Sequence, residues 1–266
     1  MLNDLGNFCE HFGKLDDARG HFEAALHLAR NAQDKRWEGG SLSNLGILHG
    51  SQGRMDEARA HFEAGLRVAR DLGDRRWEGH ALCNLGSLHQ MQGRMSDAQH
   101  HLDLALVVAR ELGHAQMECI VRCNLGIVCD SLNDFDRARA HYEHALVVAR
   151  ELRDRRSEGQ VLSYLGVLHS RQGRSDEARH CLATGEALLH EASDRISLGI
   201  LLCGRAEAEH LAGEPNSARR AIAKAESLAI DLGAGPASEL GQSLARVHAL
   251  LEPAQSAASN PRATSQ

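Results

Sequence analysis

Residues 73–79 read GDRRWEG, residues 33–39 read QDKRWEG and residues 153–159 read RDRRSEG, one phrase restated at offsets of 40 and 80. A catalytic site needs its residues once, in one place, whereas a phrase repeated at fixed spacing does the same structural job in each copy. Stacked in rows of 40, the chain puts Leu5, Leu45, Leu85, Leu125 and Leu165 in one column, with Gly6, Gly46, Gly86, Gly126 and Gly166 beside them. Twelve residues after each glycine comes Ala18, Ala58, Ala98, Ala138 or Ala178, and a divergent sixth row keeps Ala206 and Ala218 in these two columns. Self-similarity at such a period is the signature of a solenoid.

Each row carries two helical patterns. Leu42, Leu45, Leu48 and His49 follow the 3.6-residue period, and so do Ala58, Phe62, Gly65, Leu66, Ala69 and Leu72. Gly53, Gly93, Gly173 and Gly213, with Asn133 in the fourth row, stand where the first helix must stop in a left-handed residue. The column Asp16, Asp56, Ser96, Asp136, Asp176 and Asn216 is expected to cap the second helix. GDRRWEG is then the junction between rows. Gly73, like Gly113, ends one helix; Asp74, like Asp34, Asp154 and Asp194, caps the next; Glu78 lies in a first turn where the helix dipole favours negative charge. Trp37 and Trp77 are expected to pack against the preceding row, and the small residues at 46, 58, 65, 105 and 145 to let paired helices approach closely.

Composition agrees with an all-α chain: aromatic residues are 3% and prolines four, while 42% apolar residues supply an ordinary core. The 30 basic and 36 acidic residues are interspersed, which leaves no basic face to track a phosphate backbone and argues against nucleic acid. No apolar run approaches the roughly 18 residues that would span a bilayer, and MLNDLGNFCEHFG has no signal-peptide pattern, so a cytoplasmic protein with no membrane partner is expected. Seven scattered cysteines fit reduced thiols rather than a disulfide framework.

The order Leu-Gly, Ala at +12, an aromatic or Leu at +16 and a small residue at +19 resembles the tetratricopeptide repeat, lengthened from about 34 residues to 40. It is most similar to the long-repeat subtype of kinesin light chains, Pins-type adaptors and the sensor arrays of bacterial signalling proteins. The resemblance implies a right-handed α-solenoid of about six helix pairs over residues 1–233, divided at 1–33, 34–73, 74–113, 114–153, 154–193 and 194–233. The first row is incomplete, since Met1 aligns with Ser41, and a fragment or a late start codon is expected there. Residues 234–252, from the Gly235-Pro236 opening, carry Leu240, Leu244, Val247 and Leu251 on one stripe and read as a capping helix, and 253–266 read as a disordered tail.

Seven of the 17 histidines fall into two columns: Cys9, His49, His89, Cys129 and His169; and His21, His61, His101, His141 and Cys181. Both resemble tyrosine positions of the repeat family and read as packing sites. A metal-dependent protein using them is the remote alternative, as is zinc at Cys119, Cys123 and Asp130, which project to one side of a helix. No phosphate loop, nucleophile elbow or paired His-Glu zinc motif occurs, so neither catalytic residues nor cofactors are expected.

Opposite the core face of the first helices runs a separate stripe whose ladder reads Asp4, Asn44, Asn84, Asn124, Tyr164 and Gly204, flanked by Ile47, Ser87, Ile127 and Val167. Stacked asparagines resemble the ladders of peptide-binding superhelices such as the O-linked N-acetylglucosamine transferase repeats. The resemblance implies a non-catalytic scaffold or adaptor that binds a peptide or partner helix in its concave groove through these residues, whose substitution is expected to spare the core. The alternative is a regulatory sensor region of a larger signalling protein, a transcriptional regulator or a nucleotide-hydrolysing switch.

Overall fold

A computed structural model describes residues 1–11, 13–236 and 238–251; the tail from Pro253, expected to be disordered, lies outside the described residues, as does Phe12. Among the described residues there are helices and no strands. Six pairs follow one another: α1 (Leu2–His11) with α2 (Leu15–Asn31), α3 (Lys35–Ser51) with α4 (Met55–Leu72), α5 (Arg75–Met91) with α6 (Met95–Glu111), α7 (Ala115–Ser131) with α8 (Phe135–Glu151), α9 (Arg155–Arg171) with α10 (Ser175–Glu191), and α11 (Arg195–Leu211) with α12 (Pro215–Leu232). A last helix, α13 (Glu239–Leu251), closes the array and packs mainly on α11. Each helix touches its partner and its neighbours along the chain, so the all-α solenoid expected from the period is the fold observed.

The first five pairs are locked by the same contact. The Leu-Gly column glycine has no side chain because the residue sixteen positions on fills that space: a Cβ on Gly46 would lie 2.4 Å from the Phe62 ring, on Gly126 2.3 Å from Tyr142, and on Gly86 2.6 Å from Leu102. These knobs are buried, and the core runs as successive apolar clusters along the array instead of around one centre.

The junction contains more than its sequence suggested. Asp74 caps α5 as expected, accepting from the Trp77 N–H at 3.1 Å, and Asp34, Asp154 and Asp194 do the same for α3, α9 and α11. Glu78 does not merely favour the dipole. It is buried, takes the Arg70 Nε–H from the preceding helix at 2.9 Å and pairs with Arg75. Glu38 and Glu158 hold Arg30 and Arg150 identically at 3.0 and 2.9 Å, so a charged clamp ties each second helix to the next row. In the sixth row the carboxylate is replaced by buried Leu198.

Three expectations are corrected. The column of Asp16, Asp56 and Asp136 does not cap the second helices. Those helices begin one residue earlier, because the turn residue's successor, such as Arg54, already donates back to the His49 carbonyl at 2.9 Å. The aspartates sit inside the first turn and accept instead from Arg19, Arg59 and Arg139 at 2.8–2.9 Å. Trp77 packs on the preceding row, against Gly39, where a Cβ would meet its ring at 2.5 Å. Trp37, its equivalent one row earlier, meets no such glycine and is 53% exposed. Pro236 precedes α13 rather than opening it; Ser238 Oγ accepts from the Gly241 N–H at 3.1 Å and starts the helix.

Two glycine substitutions should therefore have opposite signs. Gly126→Ala, driven into Tyr142, should destabilise by about 1–3 kcal/mol through overpacking. Gly20→Ala, in α2 with nothing within 4 Å of a new Cβ, should stabilise by up to about 1 kcal/mol from helix propensity. Chemical denaturation of both variants checks this, and equal effects would rule out the knob-and-hole account.

Candidate functional site

The first helices of the pairs line one side of the solenoid, and the expected ladder lies there. Asn44, Asn84 and Asn124 are half-buried, Ile47 is 46% exposed, and Ser87, Ile127 and Val167 are half-buried. The asparagines are not equivalent. Asn124 donates to Ser87 Oγ at 3.1 Å and Asn84 to Ser43 Oγ at 3.4 Å, each bond reaching back to the preceding row, whereas the Asn44 side chain makes no hydrogen bond among the described residues. The ladder ends after Asn124 for packing reasons. Tyr164 stacks on Tyr142 with ring centroids 5.6 Å apart, and Gly204 lets α11 close on α9, since a Cβ there would lie 2.8 Å from Val167.

Three hollows follow this face. One of about 210 Å³ lies between α3 and α5, with Phe62 and Trp77 in its wall and Asn44 and Ser43 in its lining. A second, about 400 Å³, is lined by Ile47, Asn84 and Ser87 and, from the other end of the chain, by Ser238, Glu239 and Gln242 of the α13 start. The third, also about 400 Å³, is lined by Ile127, Tyr164 and Val167 together with Glu239, Ser243 and Arg246. Curvature thus brings the last helix across the inner face, opposite α3 and α5. Sequence reasoning read a capping helix over residues 234–252; α13 packs mainly on α11, and its place beside the hollows was not read.

A charged bridge also went unread. Arg171 on α9 pairs with Asp130 on α7 at 2.7 Å and with Glu207 on α11 at 2.8 Å, tying three rows together beside the third hollow. Burial pushes the Asp130 carboxyl up and outweighs the opposing pull of Arg171, and burial likewise raises Glu239. The available signal was a break in the repeat at Arg171, whose column otherwise holds His11, Ser51, Met91, Ser131 and Leu211; the Asp130 column already carries a carboxylate at Glu10. The zinc grouping of Cys119, Cys123 and Asp130 is not assembled, because Cys119 Sγ donates to the Ala145 carbonyl at 3.5 Å while Asp130 is committed to Arg171. Among the described residues no group of three or more His, Cys, Asp or Glu is placed to hold a metal ion.

With this geometry, comparison with known proteins is direct. A tetratricopeptide repeat family model matches residues 1–71, 38–111, 77–151 and 116–191, and the chain belongs to that family. No curated protein sequence matches it. Among solved structures, BtubC (BKLC) from P. vanneervenii is similar at 20% identity and TM-score 0.67, over 95% of this chain and 96% of that one. A Rap protein complexed with Competence and Sporulation Factor superposes at TM-score 0.72 and 18% identity, over 94% of this chain and 72% of that one. NprR in complex with its cognate peptide NprX gives TM-score 0.66 and 14% identity, over 93% and 68%. Likeness at these identities concerns the fold.

The two histidine columns meet inside the helix pairs. His49 stacks on His61 with centroids 5.1 Å apart, and His89 lies 5.0 Å from His101; in the fourth and fifth pairs the same columns bring Cys129 and His141, and His169 and Cys181. The buried Nδ1 atoms of His49, His89, His141 and His169 have no hydrogen-bond partner. Burial holds His49, His61, His89, His141 and His169 below the ordinary value of 6.5, so the folded chain keeps them neutral.

The unfolded chain takes up these protons first. Stability should therefore be intact above about pH 6.5 and fall as the pH drops through and below it. Asp130 and Glu239, raised by burial, work in the opposite direction. The Glu78 clamp titrates lower still, because hydrogen bonds from Arg70 and Arg75 overcome its burial. Melting temperatures between pH 7.5 and pH 5, conditions chosen on the order of one pH unit either side of the histidine range, should decline for the native chain and less for a His49→Phe, His89→Phe double variant. Parallel curves would exclude the histidines as the cause.

Proposed function

We propose that the chain is a non-catalytic scaffold or adaptor that holds an extended peptide, or an unfolded segment of a partner protein, along its inner face. Asn44, Asn84 and Asn124 meet main-chain groups of the ligand, and Ile47, Ser87, Ile127 and Val167 border sites for its side chains. The observation that carries this is the row of hollows, each lined by residues of the ladder or its flank, on a side of the helix pairs where half-buried amides stand beside half-buried or exposed apolar residues. An amide offers both a donor and an acceptor and so can pair with a peptide bond whatever the ligand's side chains. First helices of successive rows stand side by side on this face, about a helix diameter apart, so ladder residues reach an extended ligand only at intervals, and the side chains between them find the hollows.

Other chemistry has little support. Burial pushes the Cys83 and Cys203 thiols up to about 11, which keeps them protonated and poor nucleophiles. Among the described residues no helix is long and apolar enough to cross a membrane. Similarly folded Rap and NprR proteins are described as bound to a factor and to a cognate peptide, which favours the same use of this solenoid.

The ladder is tested with a partner isolated on the immobilised protein and then measured by calorimetry. Asn44→Ala is the clean variant, because its amide bonds nothing in the free protein. It should weaken binding by about 1–2 kcal/mol, the scale of one buried polar contact, and leave the melting temperature unchanged. Asn84→Ala and Asn124→Ala should weaken binding similarly but also lower stability by about 0.5–1 kcal/mol, since each loses a bond to the preceding row. Unaltered affinity in all three would show the ladder to be purely structural.

A further inference from the structure

We infer that the hollow between α3 and α5 is a specificity pocket for one uncharged apolar side chain, aliphatic or aromatic, of the bound peptide. This rests on the proposed use of the inner face, but the observation behind it is independent of the asparagine ladder. It concerns two glycines that packing does not require.

Gly39 and Gly46 must be glycine, because a Cβ at either would lie 2.5 or 2.4 Å from an aromatic ring. Gly40 and Gly65 are different. A Cβ on Gly40 would find nothing nearer than Trp77 at 3.8 Å, and one on Gly65 nothing nearer than Leu42 at 3.8 Å, both ordinary contacts. Both glycines lie inside helices, where alanine is favoured, so each weakens its helix with no packing gain. The corresponding positions carry His80 and Ala105 in the third row and Ile120 and Ala145 in the fourth. What the two glycines do accomplish is to leave about 210 Å³ open in front of Phe62 and Trp77.

The lining defines the occupant. Phe62, Trp77 and Ala81 give apolar walls, and Ser43 and Asn44 are neutral. His80 is held below its ordinary pKa by burial and is uncharged at neutral pH. No carboxylate or permanent cation lines the space, so a charged side chain would enter it unpaired, at a cost that an apolar one avoids. The unbonded amide of Asn44 at the same hollow is available to the main chain on either side of the inserted residue.

Capped amino acids test this without a known partner. N-acetyl-leucinamide and N-acetyl-phenylalaninamide each present one side chain between two peptide bonds, and N-acetyl-lysinamide is the charged control. Titrated into ¹⁵N-labelled protein, the first two should give saturable shifts at the Gly40 and Gly65 amides and the Trp77 indole, with the Trp37 indole as internal control, and the lysine derivative should give none. Gly40→Leu should weaken this binding by roughly tenfold or more by filling the space, while Gly40→Ala should raise the melting temperature. Absence of shifts, an unchanged titration in Gly40→Leu, or a lower melting temperature in Gly40→Ala would overturn the pocket. The two proposals fail separately. A partner that needs the asparagines but ignores Gly40→Leu refutes only the pocket, and amides that bind beside a dispensable ladder refute only the ladder.

Discussion

Five of the six helix pairs depend on a missing Cβ. Where Gly46 faces Phe62, or Gly126 faces Tyr142, the ring occupies the volume that any other residue's side chain would need, and this sets how closely and at what angle the two helices cross. A crossing fixed in this way recurs through the first five rows, and a repeated crossing stacks with a small rotation per repeat. Curvature follows, and from curvature comes an inner face at all. The placement of α13 against hollows bordered by α3 and α5 is thus a remote consequence of a contact between residues sixteen apart.

The joints between rows use a different physics. Burying Glu78 among apolar helices would be costly if it stood alone, and it is tolerated because Arg70 and Arg75 hold it in charged form. Since Arg70 belongs to one row and Glu78 to the next, the pair has a favourable geometry only when the rows are in register. Apolar packing supplies the cohesion of the joint and the clamp supplies its alignment. In the sixth row Leu198 substitutes cohesion for alignment, and α11 there packs closely on α9 through Gly204.

Elements dictated by neighbours in sequence were legible before any coordinates. The helix pairs, the left-handed turns at Gly53 and Asn133, the capping aspartates at 34, 74, 154 and 194 and the asparagine column all express local geometry repeated in fixed register. Misreadings arose where two local solutions compete. Asp56 has the chemistry of a cap, but the tight turn at Gly53 starts the helix before it. Beyond reach were properties of the whole curve: that Arg171 would meet Asp130 and Glu207, and that α13 would lie across the groove, depend on rotations summed over several rows. Trp37 and Trp77 show the same limit, being alike in sequence and unlike in exposure because only one has a preceding glycine to cover it.

In a repeat protein the structural requirement is uniform, so a departure from the repeat that packing does not demand calls for another cause. Gly204 is explained by packing, since α11 needs the space. Gly40 and Gly65 are not, and Arg171 introduces a charge that bridges Asp130 and Glu207 across three rows. These departures are segregated: open apolar volume near α3, carboxylates and guanidinium groups near α9 and α11. An extended chain lying on a symmetric ladder could run in either direction, because amides pair equally well with a peptide bond and its reverse. On the proposed reading, unlike chemistry at the two ends removes that degeneracy, so the broken symmetry would give direction to a ligand that the preserved symmetry would only hold.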